Sequence, residues 1–333
     1  MSREFEASVD ESIGEATDDH EPTTKDGPTH SFATIALAVF LFALTFASTT
    51  YIAAERSATG TQNLWEGLRY SIPLMSILLS HEFGHYIAAR IHGVPASPPF
   101  FVPMPLQPLG TMGAVILMRG RIARRDALLD IGAAGPLAGM VVALPVLIYG
   151  IATSPVLPTV PHAGDLIEGR SLLYIALLHW LKGPIPDGSD IWLNPTAFAG
   201  WAGLLVTMIN LIPAAQLDGG HVAYALFGER QERYSRLIRR GLLPLAFIVS
   251  LAYGLPVLFK GARGEVLING FMPGSQWLVW WFVLGLMTRR AAREHPSTDD
   301  DVLSPRRRAV AWGTLLLFIV LFMPAWLRVV PPS

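Results

Sequence analysis

Long apolar runs alternate with short polar links along this chain, at lengths suited to helices that cross a bilayer. The first, Phe32 to Ala54, is long enough to cross a hydrocarbon layer of roughly 30 Å. A polar link from Glu55 to Leu64 leads to a second run, which begins near Leu68 and fades at Arg90-Ile91-His92. Further runs extend from Ala127 to about Ile151, Pro195 to Leu211, Leu242 to Phe259, Trp277 to Met287 and Ala309 to Leu327, the sixth being the weakest. Leu172 to Leu181 is too short to span and reads as interfacial. Between the second and third runs the pattern changes. Val94 to Pro108 holds six prolines, which forbids helix, and Gly110 to Met118 is apolar and β-prone. A short strand pair or re-entrant loop at the membrane surface is predicted, covered by protein because its backbone is not helical. The fold class is therefore an all-α polytopic membrane protein of about six to seven transmembrane helices with a small membrane-associated β element.

Composition agrees. Of 333 residues, 51% are hydrophobic and 15% charged, against about 25% charged in soluble domains. A net charge of −1 gives no sign of a nucleic-acid partner. With no cysteine, thiolate metal sites, disulfides and cysteine nucleophiles are excluded, so any metal must be held by the nine histidines and the carboxylates. Residues 1–31 are acidic, lack apolar periodicity and read as a disordered tail. No basic stretch precedes a short apolar one there, so no cleaved signal peptide is expected. The domain plan is this tail, a core over 32–288, a basic loop over 289–308 and an additional C-terminal helix over 309–333. Fifteen arginines lie in the loops after the second, fourth and sixth runs, against six lysines and arginines in the opposite loops. That asymmetry predicts a multi-pass protein with the arginine-rich side, and the N-terminus with it, in the cytoplasm.

The chemistry lies late in the second run, in Ser80-His81-Glu82-Phe83-Gly84-His85-Tyr86. On a helix His81 and His85 share a face one turn apart, as two imidazoles on one metal ion require, and Glu82 beside them can deprotonate a metal-activated water. Ionisable groups at membrane depth point to function. The soluble zincin patterns do not fit: the positions for their glycine and third histidine hold Ala88 and Ile91, His92 misses by one, and the first glutamate after His85 is Glu168. Asp218 can be the third ligand, or an ordinary helix-terminal turn residue. Pro213 breaks the helix before it, and Gly219-Gly220 free the backbone so that the carboxylate can turn inward. Two imidazoles and one carboxylate would leave zinc a fourth position for water. The fourth run, which carries Asp218 at its end, is expected to finish at the same depth as His81 to His85. Small residues Gly132, Gly135 and Gly139 in the third run allow close helix contact. His221 is read as supporting or interfacial; His20, His30, His92, His162, His179 and His295 are read as incidental.

His-Glu-Phe-Gly-His in a second span, Gly135-Pro136-Leu137-Ala138-Gly139, and Asn210-x-x-Pro213-x-x-x-Leu217-Asp218-Gly219 appear in order over residues 65–225. Together they resemble the site-2 protease family of intramembrane zinc metalloproteases. The resemblance implies one zinc ion on His81, His85 and Asp218, Glu82 as general base, and Asn210 holding the substrate or the developing oxyanion. It implies a membrane-anchored protein substrate cleaved within its transmembrane segment near the cytoplasmic face, the lipid bilayer as the other partner, and no nucleic acid. It also implies that Gly110 to Met118 receives the substrate as an added strand. The PDZ and nucleotide-sensing modules of some members are not expected, because the link from Ala152 to Asn194 is too short for them. The alternatives are a transporter or channel, which would predict internal repeats that the halves do not show, and an inactive protease-like scaffold, against which the intact Glu82 and Asp218 speak.

Overall fold

The computed structural model describes residues 30–55, 63–106, 108–118, 122, 124–158, 166–291 and 302–329. Most of the acidic tail and residues 292–301 of the basic loop lie outside these. The described chain is mostly helical. Three helices are long and apolar enough to cross a membrane: α1 (Phe32–Glu55), α3 (Arg125–Thr153) and α7 (Arg230–Phe259). Their outward faces carry exposed Phe40, Val141, Phe247 and Ile248, which lipid would cover.

The centre is built from α2 (Leu64–Ile91), α3 and α5 (Pro195–Asn210), packed around buried Tyr70, Leu74, Ile77, Leu147, Trp201 and Leu204. Glycines let these helices approach closely. A methyl at Gly84 of α2 would overlap the backbone of Ala134 in α3, and one at Gly150 of α3 would overlap Ala197 of α5. Asn63 caps α2 through Trp65 N–H. Asn194 caps α5 through Ala197 N–H, with Pro195 in the first turn. At 16 residues, α5 is about 24 Å long, short of a full hydrocarbon crossing.

The proline-rich segment forms the expected strand pair, β1 (Phe100–Pro103) with β2 (Thr111–Val115), antiparallel, with Phe101 opposite Ala114. It is not confined to a surface. Ala96 at its base packs with Ala88 and Ala89 of α2, while Leu109 at its tip accepts a hydrogen bond of 3.1 Å from Tyr70 Oη. From Tyr70 to Ala89 is roughly 28 Å of helix, so the hairpin runs along α2 through most of its length. α1 fixes the tip: Ser48 Oγ donates to Gly110 O at 2.7 Å, and at Gly110 (φ 74°) a Cβ would lie 2.7 Å from Thr49 Cα.

The link after α3 contains more structure than its pattern suggests. Strand β3 (Val156–Pro158) pairs with β5 (Ser189–Ile191), enclosing β4 (Leu166–Glu168) and the short helix α4 (Leu172–Lys182). After α5, α6 (Asp218–Phe227) precedes α7, which takes in the arginine-bearing stretch from Arg230 as helix. The weak sixth run is one broken helix: α8 (Gly264–Phe271), a 3₁₀ turn Met272–Gly274, and α9 (Ser275–Ala291). Pro273 explains the break. It packs back along α7, with Gly270 against Val257 and Gly274 against Ala246, and Ser250 Oγ donates to Phe271 O at 2.8 Å.

The last apolar run is helical as α10 (Pro305–Leu321), not to Leu327 as its composition suggests. Pro324 ends it, and the chain returns as β6 (Leu327–Val329), antiparallel to β4. Trp277 Nε1 donates to Pro324 O at 2.6 Å and Trp201 Nε1 to Gly169 O at 2.8 Å. The first ties the C-terminal segment to α9, and the second ties the end of β4, the partner of β6, to the core. Far from being peripheral, α10 packs against α6 and α3 through Ala311, Leu129, Ala133, Val222 and Ala225.

Candidate metal centre

α2 is helical through both histidines, so His81 and His85 point the same way, toward α3 and α6. Their rings lie edge to face with centroids 4.9 Å apart. Asp218, the first residue of α6, brings its carboxylate to them. His81 Nε2 to Asp218 Oδ2, His85 Nε2 to Asp218 Oδ2 and His81 Nε2 to His85 Nε2 are each 3.2 Å. Among the described residues these three form the one group of histidine and carboxylate side chains arranged to hold a metal ion.

The triangle fits zinc. Zinc–ligand bonds of about 2.0–2.1 Å in a tetrahedron separate the ligand atoms by about 3.3–3.4 Å. His85 Nδ1 is 2.8 Å from Ile131 O, a carbonyl that can only accept, so Nδ1 carries a hydrogen and Nε2 is the ring nitrogen turned toward the triangle. Two imidazole nitrogens and a carboxylate oxygen converging on one point are a donor set suited to a cation.

Two further polar groups surround the triangle. Glu82 is buried, 8% exposed, within electrostatic reach of His81, His85 and Asp218. Asn210, the last residue of α5, places Nδ2 3.3 Å from His81 Nε2. In the tautomer that leaves this nitrogen unprotonated, its one lone pair can serve the amide or a cation but not both. Thus all five sequence-identified residues, from three separate helices, meet in one place.

The backbone around Asp218 differs from the sequence expectation. Gly219 and Gly220 lie inside α6 and do not free an unwound carboxylate. They permit close packing: a methyl on Gly219 would overlap Leu211 O, and one on Gly220 would overlap Ala215 O. The turn broken by Pro213 folds beneath the first turn of α6, and the helix start carries Asp218 inward.

The wall opposite the histidines was not identified from the sequence. A methyl at Gly135 would overlap the His85 imidazole, and one at Gly139 would lie 3.2 Å from His81 Cβ. Gly132 faces His221, whose Cβ would be 3.0 Å from such a methyl. The small residues of α3 thus make room for the His81 and His85 rings, and the Gly132/Gly135/Gly139 spacing was the available signal. His92, read as incidental, pairs with Asp130 at 2.9 Å, and Arg307 of α10 contacts the same carboxylate at 2.6 Å and Asp126 at 3.2 Å. His20, His162 and His295 lie outside the described residues.

Residues 69–252 match the family model for peptidase family M50, over half of the chain. The chain belongs to peptidase family M50. The site-2 protease resemblance carried by the three motifs is borne out. The chain is 34% identical over 267 residues to the probable zinc metalloprotease EGY2, chloroplastic, of Arabidopsis thaliana, covering 78% of this chain and 42% of that protein. It is 30% identical over 212 residues to the rice (Oryza sativa subsp. japonica) protein of the same name, covering 61% and 37%. To the probable zinc metalloprotease EGY1, chloroplastic, of Arabidopsis thaliana it is 27% identical over 265 residues, covering 76% and 42%. This M50 chain therefore spans less than half the length of each of these relatives. Zinc is the metal that these names and the family imply, and the donor set is suited to it.

Proposed function

We propose that this M50 chain is an intramembrane zinc metalloendopeptidase that cleaves the transmembrane segments of membrane-anchored proteins near the cytoplasmic face. The observation that carries the reading is the His81–His85–Asp218 triangle with edges of 3.2 Å beside buried Glu82. His81, His85 and Asp218 hold the metal. When bound, zinc supplies Lewis acidity to a peptide carbonyl and lowers the pKa of an attacking water. Glu82 accepts the proton from that water and delivers it to the leaving amine nitrogen, so one carboxylate serves both halves of the reaction. Asn210, whose Nδ2 lies 3.3 Å from His81 Nε2, would offer its amide to the substrate carbonyl once a cation takes up that nitrogen. The β1–β2 hairpin, alongside α2, offers backbone donors and acceptors to an unwound substrate segment.

In this reading the chain crosses the membrane six to seven times. α1, α2, α3, α5 together with the turn that follows it, α7, the broken α8–α9 unit and α10 are the crossings, and the arginine-rich ends of α7 and α10 face the cytoplasm. The test is Glu82→Gln in detergent-purified protein, assayed for zinc content and for cleavage of a panel of single-span substrates. The expected result is unchanged zinc with cleavage lost. Full cleavage by this variant would remove Glu82 from the mechanism, and a well-folded wild type without zinc would overturn the metalloprotease reading.

A further inference from the structure

The carboxylate ligand reaches the histidines from a turn whose own backbone is held in an unfavourable shape. Among the described residues Ala215 is the one non-glycine with positive φ, at 53°. A side chain makes this left-handed region unfavourable. It lies three residues before Asp218, and the first turn of α6 rests on it: a methyl on Gly220 would come within 2.7 Å of Ala214 O and overlap Ala215 O. The backbone at Ala215 is therefore packed directly against the helix turn that carries Asp218.

Most of the turn's hydrogen bonds are local. Ile212 N–H donates to Ile209 O at 3.2 Å, Ala214 N–H to Ile212 O at 2.7 Å and Leu217 N–H to Ala214 O at 3.4 Å. Ala215 is different. Its N–H donates to Ser235 Oγ of α7 at 3.0 Å, where both residues are buried, 4% and 3% exposed. Without that oxygen the amide would be buried and unpaired, and relaxation of φ out of the left-handed region would follow. The apolar neighbours Ile212, Ala214, Leu242 and Trp277 supply no replacement acceptor from their side chains.

We infer that Ser235 is a positioning residue for the metal centre: its hydroxyl holds Ala215 in the left-handed conformation that sets the Asp218 carboxylate against His81 and His85. The inference rests on the reading of the triangle as a zinc site. It assigns to α7, which contributes no ligand, control over the geometry of the carboxylate ligand.

The experiment measures zinc affinity by chelator competition, together with thermal unfolding of the zinc-free protein, in wild type, Ser235→Ala, Ala215→Gly and the double variant. Ser235→Ala is expected to weaken zinc binding by about 10-fold, the scale of losing an outer-shell support. Glycine adopts positive φ freely, so the double variant is expected to recover most of that loss and to match Ala215→Gly. A general loosening of α7 would lower stability in both Ser235 variants without this recovery. Wild-type affinity in Ser235→Ala, or equal weakening in the double variant, overturns the inference. If Ser235→Ala does not fold, unequal zinc affinity in Ala215→Gly and the double variant overturns it. Absence of zinc from a folded wild type would refute the metal-site reading itself, and the positioning role with it.

Discussion

Gly135→Ala is the substitution on which the geometry of the proposed metal centre makes its sharpest demand. In helix α3 the change should by itself be favourable, since alanine exceeds glycine in helix propensity by about 1 kcal/mol. The site reverses the sign. The added methyl would overlap His85 Nε2 and stand 2.5 Å from His85 Cε1, whereas carbon–carbon contacts settle at about 3.5–4.0 Å. The ring must therefore retreat by about 1 Å, while a metal bond tolerates about 0.2 Å. Retreat also strains the 2.8 Å bond from Nδ1 to Ile131 O, which fixes the ring's tautomer. Overpacking of this kind costs about 1–3 kcal/mol in stability. The loss at the metal should be larger, about 100-fold or more in zinc affinity, because a ligand is displaced and not merely left unsupported. The assay is zinc stoichiometry and chelator competition on detergent-purified protein, with helicity checked by circular dichroism. Gly139→Ala is the internal control. Its methyl would lie 3.2 Å from His81 Cβ and 3.3 Å from Nδ1, so a shift of a few tenths of an ångström suffices and the loss should stay near a few-fold. Equal, wild-type-like zinc binding in both variants would refute the α2–α3 packing that presents His85 as a ligand.

Three further predictions concern the surrounding structure. Asp218→Asn keeps the shape but removes the anionic donor, and the zinc content of the purified protein should fall well below one per chain. The Arg307 contacts to Asp130 and Asp126 tie α10 to α3, but the arginine side chain is 35% exposed. Arg307→Ala should therefore cost no more than about 1 kcal/mol, shrinking as salt is raised, in denaturant unfolding; an interaction unaffected by salt would contradict the assignment. Burial raises the pKa of Glu168, opposed by the hydrogen bond that Tyr174 Oη donates at 3.1 Å. A carboxyl raised in the folded state favours folding at low pH and loses that advantage as pH climbs from its ordinary value, 4.5, through the raised one. The unfolding temperature should drop across that window in wild type and drop less in Glu168→Gln.

The centre of this protein was legible because its chemistry and its helices share one periodicity. His81 and His85 are a turn apart in any helix, so an apolar run containing them specifies the face they share. Asp218 was legible by a different route, a proline followed by glycines at the end of another run, and there the residue was identified with the wrong backbone. Pro213 does break the helix, but Gly219 and Gly220 serve packing inside α6. One residue type answers both to conformational freedom and to close approach, and the neighbour that distinguishes them is distant in the chain. Gly135 repeats the lesson: its partner, His85, is fifty residues away, and the spacing of small residues in α3 states that something comes close without stating what. The C-terminal run failed for a similar reason. Composition carries apolar character on to Leu327, yet Pro324 ends the helix, and the strand that follows depends on β4, more than 150 residues earlier. Ser235 is the extreme case. Nothing in its local sequence marks a serine that bonds the Ala215 amide, because the strain it balances exists only once the Asn210–Asp218 turn has folded beneath α6.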